Sequence, residues 1–338
     1  MSGIAEYIEA VMAGTDLDVE QSQGVLDEIF GGEVPEVQTA AFLTALRVKG
    51  ETAAELAGFA GSLRAHAVKV EVDGDGLVDT CGTGGARVKT FNISTAAAFT
   101  AAGAGVRIAK HGNRGITSKC GSADVLLELG VNIECGSGRV AECIEQAGIG
   151  FMFAPLFHPA MRYVQPVRKN LGFRTVFNIL GPLANPAGAG AQVMGVADES
   201  LMAMVAEALA LLGVRRALVV HSDGLDEIST MGVTKIIDVC EGQFREMVFR
   251  GADHGIAEAS LEELAGGDAK ANAGMVRDVL SGAERGCRRD IVVVNASAAI
   301  LASGAAMDFS EGIEIAAESI DSGAAAEKLA KLIEISNR

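Results

Sequence analysis

Three glycines in Asp79-Thr-Cys-Gly82-Thr-Gly84-Gly85, followed shortly by Asn92-Ile-Ser94-Thr95, are the densest concentration of phosphate-binding chemistry in the chain. Glycine lets a loop bring its backbone N–H groups close to an anion, and Asn92 or Ser94 can start a helix whose positive end faces the same pocket. Taken alone, Gly82-Thr-Gly84-Gly85 reads more plainly as a tight turn before a helix cap. Its position after a run ending at Asp79, read as a parallel strand, favours a phosphate cradle, because α/β sheets bind ligands beyond the carboxyl ends of their strands. No Gly-Lys-Ser/Thr closes the loop, so it is not a P-loop.

A second run, Lys110-His111-Gly112-Asn113-Arg114-Gly-Ile-Thr117-Ser118-Lys119-Cys-Gly121-Ser122, follows the next strand-like segment, Val106–Ala109. Three cations within ten residues, mixed with glycine, hydroxyl and amide donors, suit a polyanion; a solvated surface loop is the ordinary alternative. Placement beside the first cradle favours binding. A third strand end leads to His221-Ser-Asp223-Gly-Leu-Asp226-Glu227, whose adjacent acids are candidates for a hard divalent cation. Arg162, Arg168, Lys169 and Arg174 could grip a carboxylate through paired hydrogen bonds, but sequence alone does not choose among them.

The elements that must position these groups fall into two textures. From about Ile4 to Ala67, apolar residues recur at helical spacing in four segments: Ile4/Ile8/Met12, Val25/Leu26/Ile29/Phe30, Val37/Phe42/Leu43/Leu46 and Leu56/Phe59/Leu63. Thr52-Ala-Ala-Glu55 is a capping-box pattern, and Pro35 sits where a missing N–H costs little. From Val70, short aliphatic runs (76–79, 106–109, 193–196 and 217–220) alternate with alanine-rich helical segments. This predicts an α/β fold, a mainly parallel central sheet with flanking helices, plus a smaller all-α domain. The expected division is 1–68 for the helical domain, completed by a helical excursion near 158–185, with 70–157 and 186–338 forming the larger domain.

Composition limits the partners. A formal net charge of -16 disfavours nucleic acid, which is bound by clustered bases, while leaving room for a small anion in one cleft. The acidic amino terminus does not resemble a secretory signal, and no apolar run approaches the roughly 18 residues that cross a bilayer, so a cytoplasmic protein without membrane association is expected. Six scattered cysteines without a Cys-x-x-Cys pair indicate neither zinc nor a disulfide framework.

Taken in order, D-T-C-G-T-G-G, T-F-N-I-S-T, K-H-G-N-R, G-S-A-D-V-L-L-E-L-G, H-P-A-M-R-Y-V-Q-P-V-R, F-N-I-L-G-P-L-A-N-P and H-S-D-G-L-D-E resemble the anthranilate phosphoribosyltransferase family across nearly the whole chain. The resemblance implies transfer of the phosphoribosyl group of phosphoribosyl pyrophosphate (PRPP) to anthranilate, a step of tryptophan biosynthesis. It also implies magnesium and a homodimer formed through the helical domains. By motif position, Gly82, Gly84, Gly85, Thr90, Asn92, Ile93, Ser94, Thr95, Lys110, His111, Gly112, Asn113, Arg114, Ser118 and Ser122 would meet PRPP. Gly82, Asn113, Arg168 and Pro182 would meet anthranilate; Ser94, Asp226 and Glu227 would hold magnesium. Lys110, His111, Asn113 and Arg168 are the catalytic candidates.

One position departs from the family pattern, which usually continues G-T-G-G-D: here Gly85 is followed by Ala86. The missing carboxylate bears on metal and PRPP binding more than on reaction type. Two alternatives share the architecture, a pyrimidine nucleoside phosphorylase and a non-catalytic nucleic-acid-binding relative. K-H-G-N-R and N-I-L-G-P-L-A-N-P fit the former less well, and the acidic composition opposes the latter.

Overall fold

The computed structural model describes residues 3–74, 76–115, 119–222 and 224–338. The amino-terminal helices are α1 (Ile4–Met12), α2 (Val19–Gly31), α3 (Glu36–Lys49) and α4 (Ala53–Ala65). The predicted capping box forms at α4: Glu55 N donates to Thr52 Oγ1 at 3.3 Å, and Thr52 N donates to Glu55 Oε2 at 2.9 Å. Glu55 is fully buried and also accepts from Leu17 N and Lys49 Nζ, both at 3.0 Å, so the cap doubles as a tertiary tie. Pro35 occupies the N-cap position of α3. Two expected inward residues face outward, Met12 at 73% exposed and Val37 at 75%, while Val11 beside Met12 is the residue that α1 buries there.

Seven strands form one sheet in the order β3-β2-β1-β4-β5-β6-β7. They are β1 (Leu77–Gly82), β2 (Arg107–Gly112), β3 (Ile149–Phe153), β4 (Ala191–Gly195), β5 (Arg216–Ser222), β6 (Val233–Cys240) and β7 (Gln243–Arg250). The first five pair parallel with one another; β6 joins β5 antiparallel, and β7 joins β6 antiparallel, at one edge. Crossovers run through α5 (Ile93–Gly103), α6 (Ser122–Leu129), α7 (Ser137–Ala147), α8 (Ala154–Phe157), α9 (Gln165–Leu171), α10 (Phe177–Leu183) and α11 (Met202–Leu211). The chain ends in α12 (Leu261–Leu264), α13 (Ala269–Leu280), α14 (Cys287–Ser303), α15 (Phe309–Asp321) and α16 (Ala324–Ser336).

The sheet is covered on both faces, as parallel strands require. One core joins Val78, Ile108, Leu218 and Val220 to α5 and α13–α16, with α14 buried along most of its length. The other joins Met194, Ala217 and Val219 to α11 and α1–α4, and takes in Val164, Val167, Val176, Phe177 and Leu180 from the excursion. The excursion therefore shares its core with the amino-terminal helices. Among the described residues no helix is long and apolar enough to cross a membrane.

Candidate active site

The site grows from the carboxyl ends of β1 and β2. Asp79 is completely buried and accepts hydrogen bonds from His111 N (3.2 Å) and Asn185 Nδ2 (2.8 Å). Burial raises its carboxyl above the usual range, opposed by the neighbouring Lys110. Lys110, 3% exposed, donates from Nζ to the Thr80 carbonyl and also reaches Thr80 Oγ1 (3.2 Å) and Ser94 Oγ (3.4 Å). Burial lowers its ammonium, and Asp79 opposes the fall. An amine is thus fixed at the back of the cleft, between β1 and the start of α5.

The glycine loop turns through Gly84 (φ +66°) and Gly85 (φ +83°), a left-handed pair that bulkier residues rarely adopt. Gly84 N donates to Asp226 Oδ2 at 3.0 Å, and Val88 N donates to the Gly224 carbonyl at 3.0 Å, so the acidic turn after β5 braces the loop. A Cβ on Gly82 would stand 2.5 Å from Asp226 Oδ2. Burial raises the Asp226 carboxyl, while burial and then the charge of Asp226 push Glu227 up to about 8 against the pull of Lys110 and hydrogen bonds from Ser94. Two half-buried carboxylates whose ionisation is disfavoured, beside a serine hydroxyl, are an oxygen-rich set that a hard divalent cation would satisfy. Among the described residues no group of three His, Cys, Asp or Glu converges, so such a cation would keep waters or ligand oxygens.

Both predicted anion loops open into one cavity of about 330 Å³. Gly82, Gly84, Gly85, Thr90, Asn92, Ile93, Ser94, Thr95, Lys110, His111, Gly112, Asn113, Arg114 and Ser122 all line it, together with Asp226 and Glu227. Ser118, like Thr117 and Asp223, lies outside the described residues. Asn92 occupies the N-cap position of α5, but its side chain forms no cap; Asn92 Oδ1 accepts from Asn272 Nδ2 at 2.9 Å, leaving the helix end to the cavity. Thr95 Oγ1 is buried without a hydrogen-bond partner. The second loop is closed by Asp124, which accepts from Gly115 N (2.9 Å) and Gly121 N (2.8 Å) and pairs with Arg114 at 3.3 Å.

His111 and Asn113 also line a second, more apolar cavity of about 510 Å³, where they meet His158, Arg168, Phe177 and Gly181. His111 Nδ1 lies 3.2 Å from the Gly181 carbonyl, which assigns the proton to that nitrogen; His111 Nε2 then accepts from His158 Nε2 at 3.2 Å. Burial drives both imidazoles down, to about 3 for His111 and about 4 for His158, so the pair is neutral near pH 7. Arg168 stands 5.5 Å over the Phe177 ring, and burial lowers its guanidinium. A cation stacked on an aromatic face, with uncharged polar neighbours, can orient an aromatic carboxylate.

The structure separates the four basic candidates of the excursion. Arg168 and Arg162 line the apolar cavity, Arg174 lies against the glycine loop, and Lys169 is exposed and lines neither. Two further acceptor candidates do not line the apolar cavity. Gly82, a candidate for both substrates, lines the anion cavity, and Pro182 lines neither, its carbonyl accepting from Gln192 Nε2 at 2.6 Å; Gly181 provides the wall at that point. His158, Asn178 and Lys89 were not among the sequence candidates. His158 is 47 residues from His111 and carries no motif that pairs them.

A parallel sheet whose strand ends hold an anion cradle, two acids and an adjoining apolar chamber defines a protein of sugar-phosphate chemistry. Residues 5–67 match the helical bundle domain of the glycosyl transferase family, and residues 74–326 match its a/b domain. Anthranilate phosphoribosyltransferases of Methanocorpusculum labreanum and Herpetosiphon aurantiacus are each 52% identical; the matches cover 98% and 99% of this chain and the same shares of theirs. Among solved structures, the Thermus thermophilus anthranilate phosphoribosyltransferase superposes with a TM-score of 0.93 at 41% identity, covering 98% of this chain and 99% of that one. The Saccharomyces cerevisiae enzyme in complex with PRPP and Mg gives 0.90 at 29% identity, covering 99% and 98%. The chain belongs to the glycosyl transferase family and, within it, to the anthranilate phosphoribosyltransferases.

Proposed function

We propose that the chain transfers the phosphoribosyl group of PRPP to the amine of anthranilate, releasing pyrophosphate, in tryptophan biosynthesis. The observation that carries this reading is the wall of Thr83, His111, Asn113 and Asn178 shared by the anion cavity and the apolar cavity. A donor phosphate site and an acceptor site that meet along one wall suit group transfer between their occupants.

The amine of an aromatic acid is a weak nucleophile, so the residues are asked for positioning and leaving-group stabilisation more than for a strong base. The glycine-loop amides, the N-terminus of α5, Thr95 and Lys110 receive phosphate oxygens. Ser94, Asp226 and Glu227 would hold magnesium, and a yeast relative was crystallised with PRPP and Mg. Bound there, the ion supplies charge neutralisation to the departing pyrophosphate. Arg168 and Asn113 orient the carboxylate of anthranilate so that its amine faces C1 of the ribose, and a related structure holds 4-fluoroanthranilate. His111, neutral and already donating to Gly181, orients the acceptor and is poorly suited to storing a proton.

The same reading divides the chain into a helical unit of 1–68 completed by 158–185, and an α/β unit of 70–157 and 186–338. Shared packing of Val167 and Leu180 with α1–α4 supports it. A cytoplasmic homodimer joined through the helical units, without nucleic acid, completes the proposal. Loss of anthranilate fluorescence should require both PRPP and magnesium; consumption that continues with either omitted would refute the assignment.

A further inference from the structure

A third cavity, about 440 Å³, lies against the glycine loop and shares Thr83, Gly85, Arg174 and Asn178 with the anion cleft. Its basic groups come from three parts of the chain: Arg47 on α3, Arg87 just after the glycine loop, and Arg174 between α9 and α10. Among the described residues none of these arginines has an ion-pair partner within 4 Å. The carboxylates on the same lining are largely committed. Glu199 pairs with Lys235 at 2.5 Å, and Asp198 accepts from Ser200 N (3.1 Å) and Ser200 Oγ (2.8 Å); Arg87 acts on Asp198 only through its field. Glu51 is a further acid, and Asp198, held below the usual carboxylate range by its Ser200 hydrogen bonds, stays ionised, so the three arginines face a lining of mixed charge.

A second observation points to a ligand. Thr175 lines this cavity, is 3% exposed, and its hydroxyl has no hydrogen-bond partner. Buried hydroxyls are ordinarily satisfied, so the Thr175 hydroxyl, next in the chain to Arg174, is a donor still lacking an acceptor at this wall. Arg174 ties this lining to the neighbouring cleft: its Nη2 stands 3.5 Å from the Gly84 carbonyl, and a Cβ on Gly85 would overlap its Nη1.

We propose that this cavity is a second anion site, specific for a phosphate-type polyanion such as inorganic pyrophosphate, and that it communicates with the PRPP cleft through Arg174. Its volume falls within the range of small-ligand pockets, and arginine forks match phosphate oxygens in pairs. An occupant would bridge the helical bundle, through Arg47, to the glycine loop, through Arg87. Arg174 would be divided between the two anions, so a ligand here draws it from the Gly84 carbonyl and weakens PRPP binding without displacing PRPP. The inference extends the proposed function but does not depend on the identity of the acceptor.

The test is calorimetric titration of the full chain with inorganic pyrophosphate, first alone and then after saturation with PRPP and magnesium in the absence of anthranilate. One equivalent should still bind when PRPP is present, and Arg47→Ala and Arg87→Ala should each weaken that binding about tenfold, the effect of losing one charge-assisted contact. Arg47→Ala should keep the parent Michaelis constant for PRPP in pyrophosphate-free buffer, showing an intact fold and cleft. Pyrophosphate binding that PRPP abolishes completely, or that both variants retain at parental strength, would overturn the second site. If PRPP itself gives no binding heat, the proposed function fails, while the comparison of the variants with the parent still decides this inference.

Discussion

Gly195 at the end of β4 faces the backbone of Asp226 so closely that a Cβ on it would overlap the Asp226 carbonyl oxygen. The absence of a side chain at one residue thereby fixes the height at which the Asp226–Glu227 turn sits above the sheet. Gly195→Ala should push that turn outward. We expect catalytic efficiency to fall at least about tenfold and stability by about 1–3 kcal/mol, the range for overpacking. The magnesium concentration needed for half-maximal rate should rise; an unchanged magnesium dependence would separate this contact from the acidic pair.

Arg168 offers the acceptor chamber a guanidinium stacked on Phe177. Arg168→Ala should raise the Michaelis constant for anthranilate by about ten- to a hundredfold, the loss of a charge-assisted hydrogen bond, with the constant for PRPP changed by less than about twofold. Steady-state kinetics with each substrate varied in turn checks it, and equal anthranilate constants in variant and parent would remove Arg168 from the role.

The paired imidazoles predict an acid-side instability. His111 and His158 titrate near 3 and 4 in the folded chain, below the ordinary histidine value of about 6.5, so below that pH the unfolded chain takes up protons that the native state does not. Their contribution is therefore fully favourable above about pH 6.5 and is lost as pH falls toward the folded values. At pH 5 each should cost about 2 kcal/mol relative to pH 7. Urea unfolding of His158→Gln at the two pH values should show a pH penalty smaller by about that amount; an identical penalty would mean that His158 titrates normally.

Asn185 holds Asp79 from a part of the chain 106 residues away and donates to the Ala109 carbonyl at 2.8 Å as well. Asn185→Leu leaves a buried carboxylate and a strand carbonyl each short of a donor, which should lower stability by about 1–3 kcal/mol per orphaned group. Thermal or denaturant unfolding measures it. If the variant melts with the parent, water has replaced the amide and the tie is not structural.

The convergence of the glycine loop and Asn92–Thr95 on one cavity was legible in the sequence because glycine at a strand end, followed by a polar helix start, is a local pattern. Four strands announced themselves by short aliphatic runs. β3 did not: Ile149-Gly-Phe-Met-Phe153 follows a helix as an unbroken apolar run, whose periodicity cannot distinguish strand from buried helix. The β6–β7 hairpin was also hidden, since β7 is mostly exposed and carries charges among its apolar residues. Arg168 could not be separated from Arg162 by spacing, because the Phe177 ring beside it is set by tertiary packing. The His111–His158 contact is likewise a product of β2 and the start of the excursion meeting in space.

The core shared by α1–α4 and the excursion has a consequence for dissection of the molecule. Phe42, Leu56 and Leu46 are almost completely enclosed, and they belong to the same apolar cluster as Val164, Val167 and Leu180, which the chain reaches only after building three strands. A fragment ending near residue 67 would present that seam to water. Nascent chains leaving the ribosome must carry it uncovered until the excursion and then α11 arrive, so the seam is open to self-association while residues 67–211 are being made.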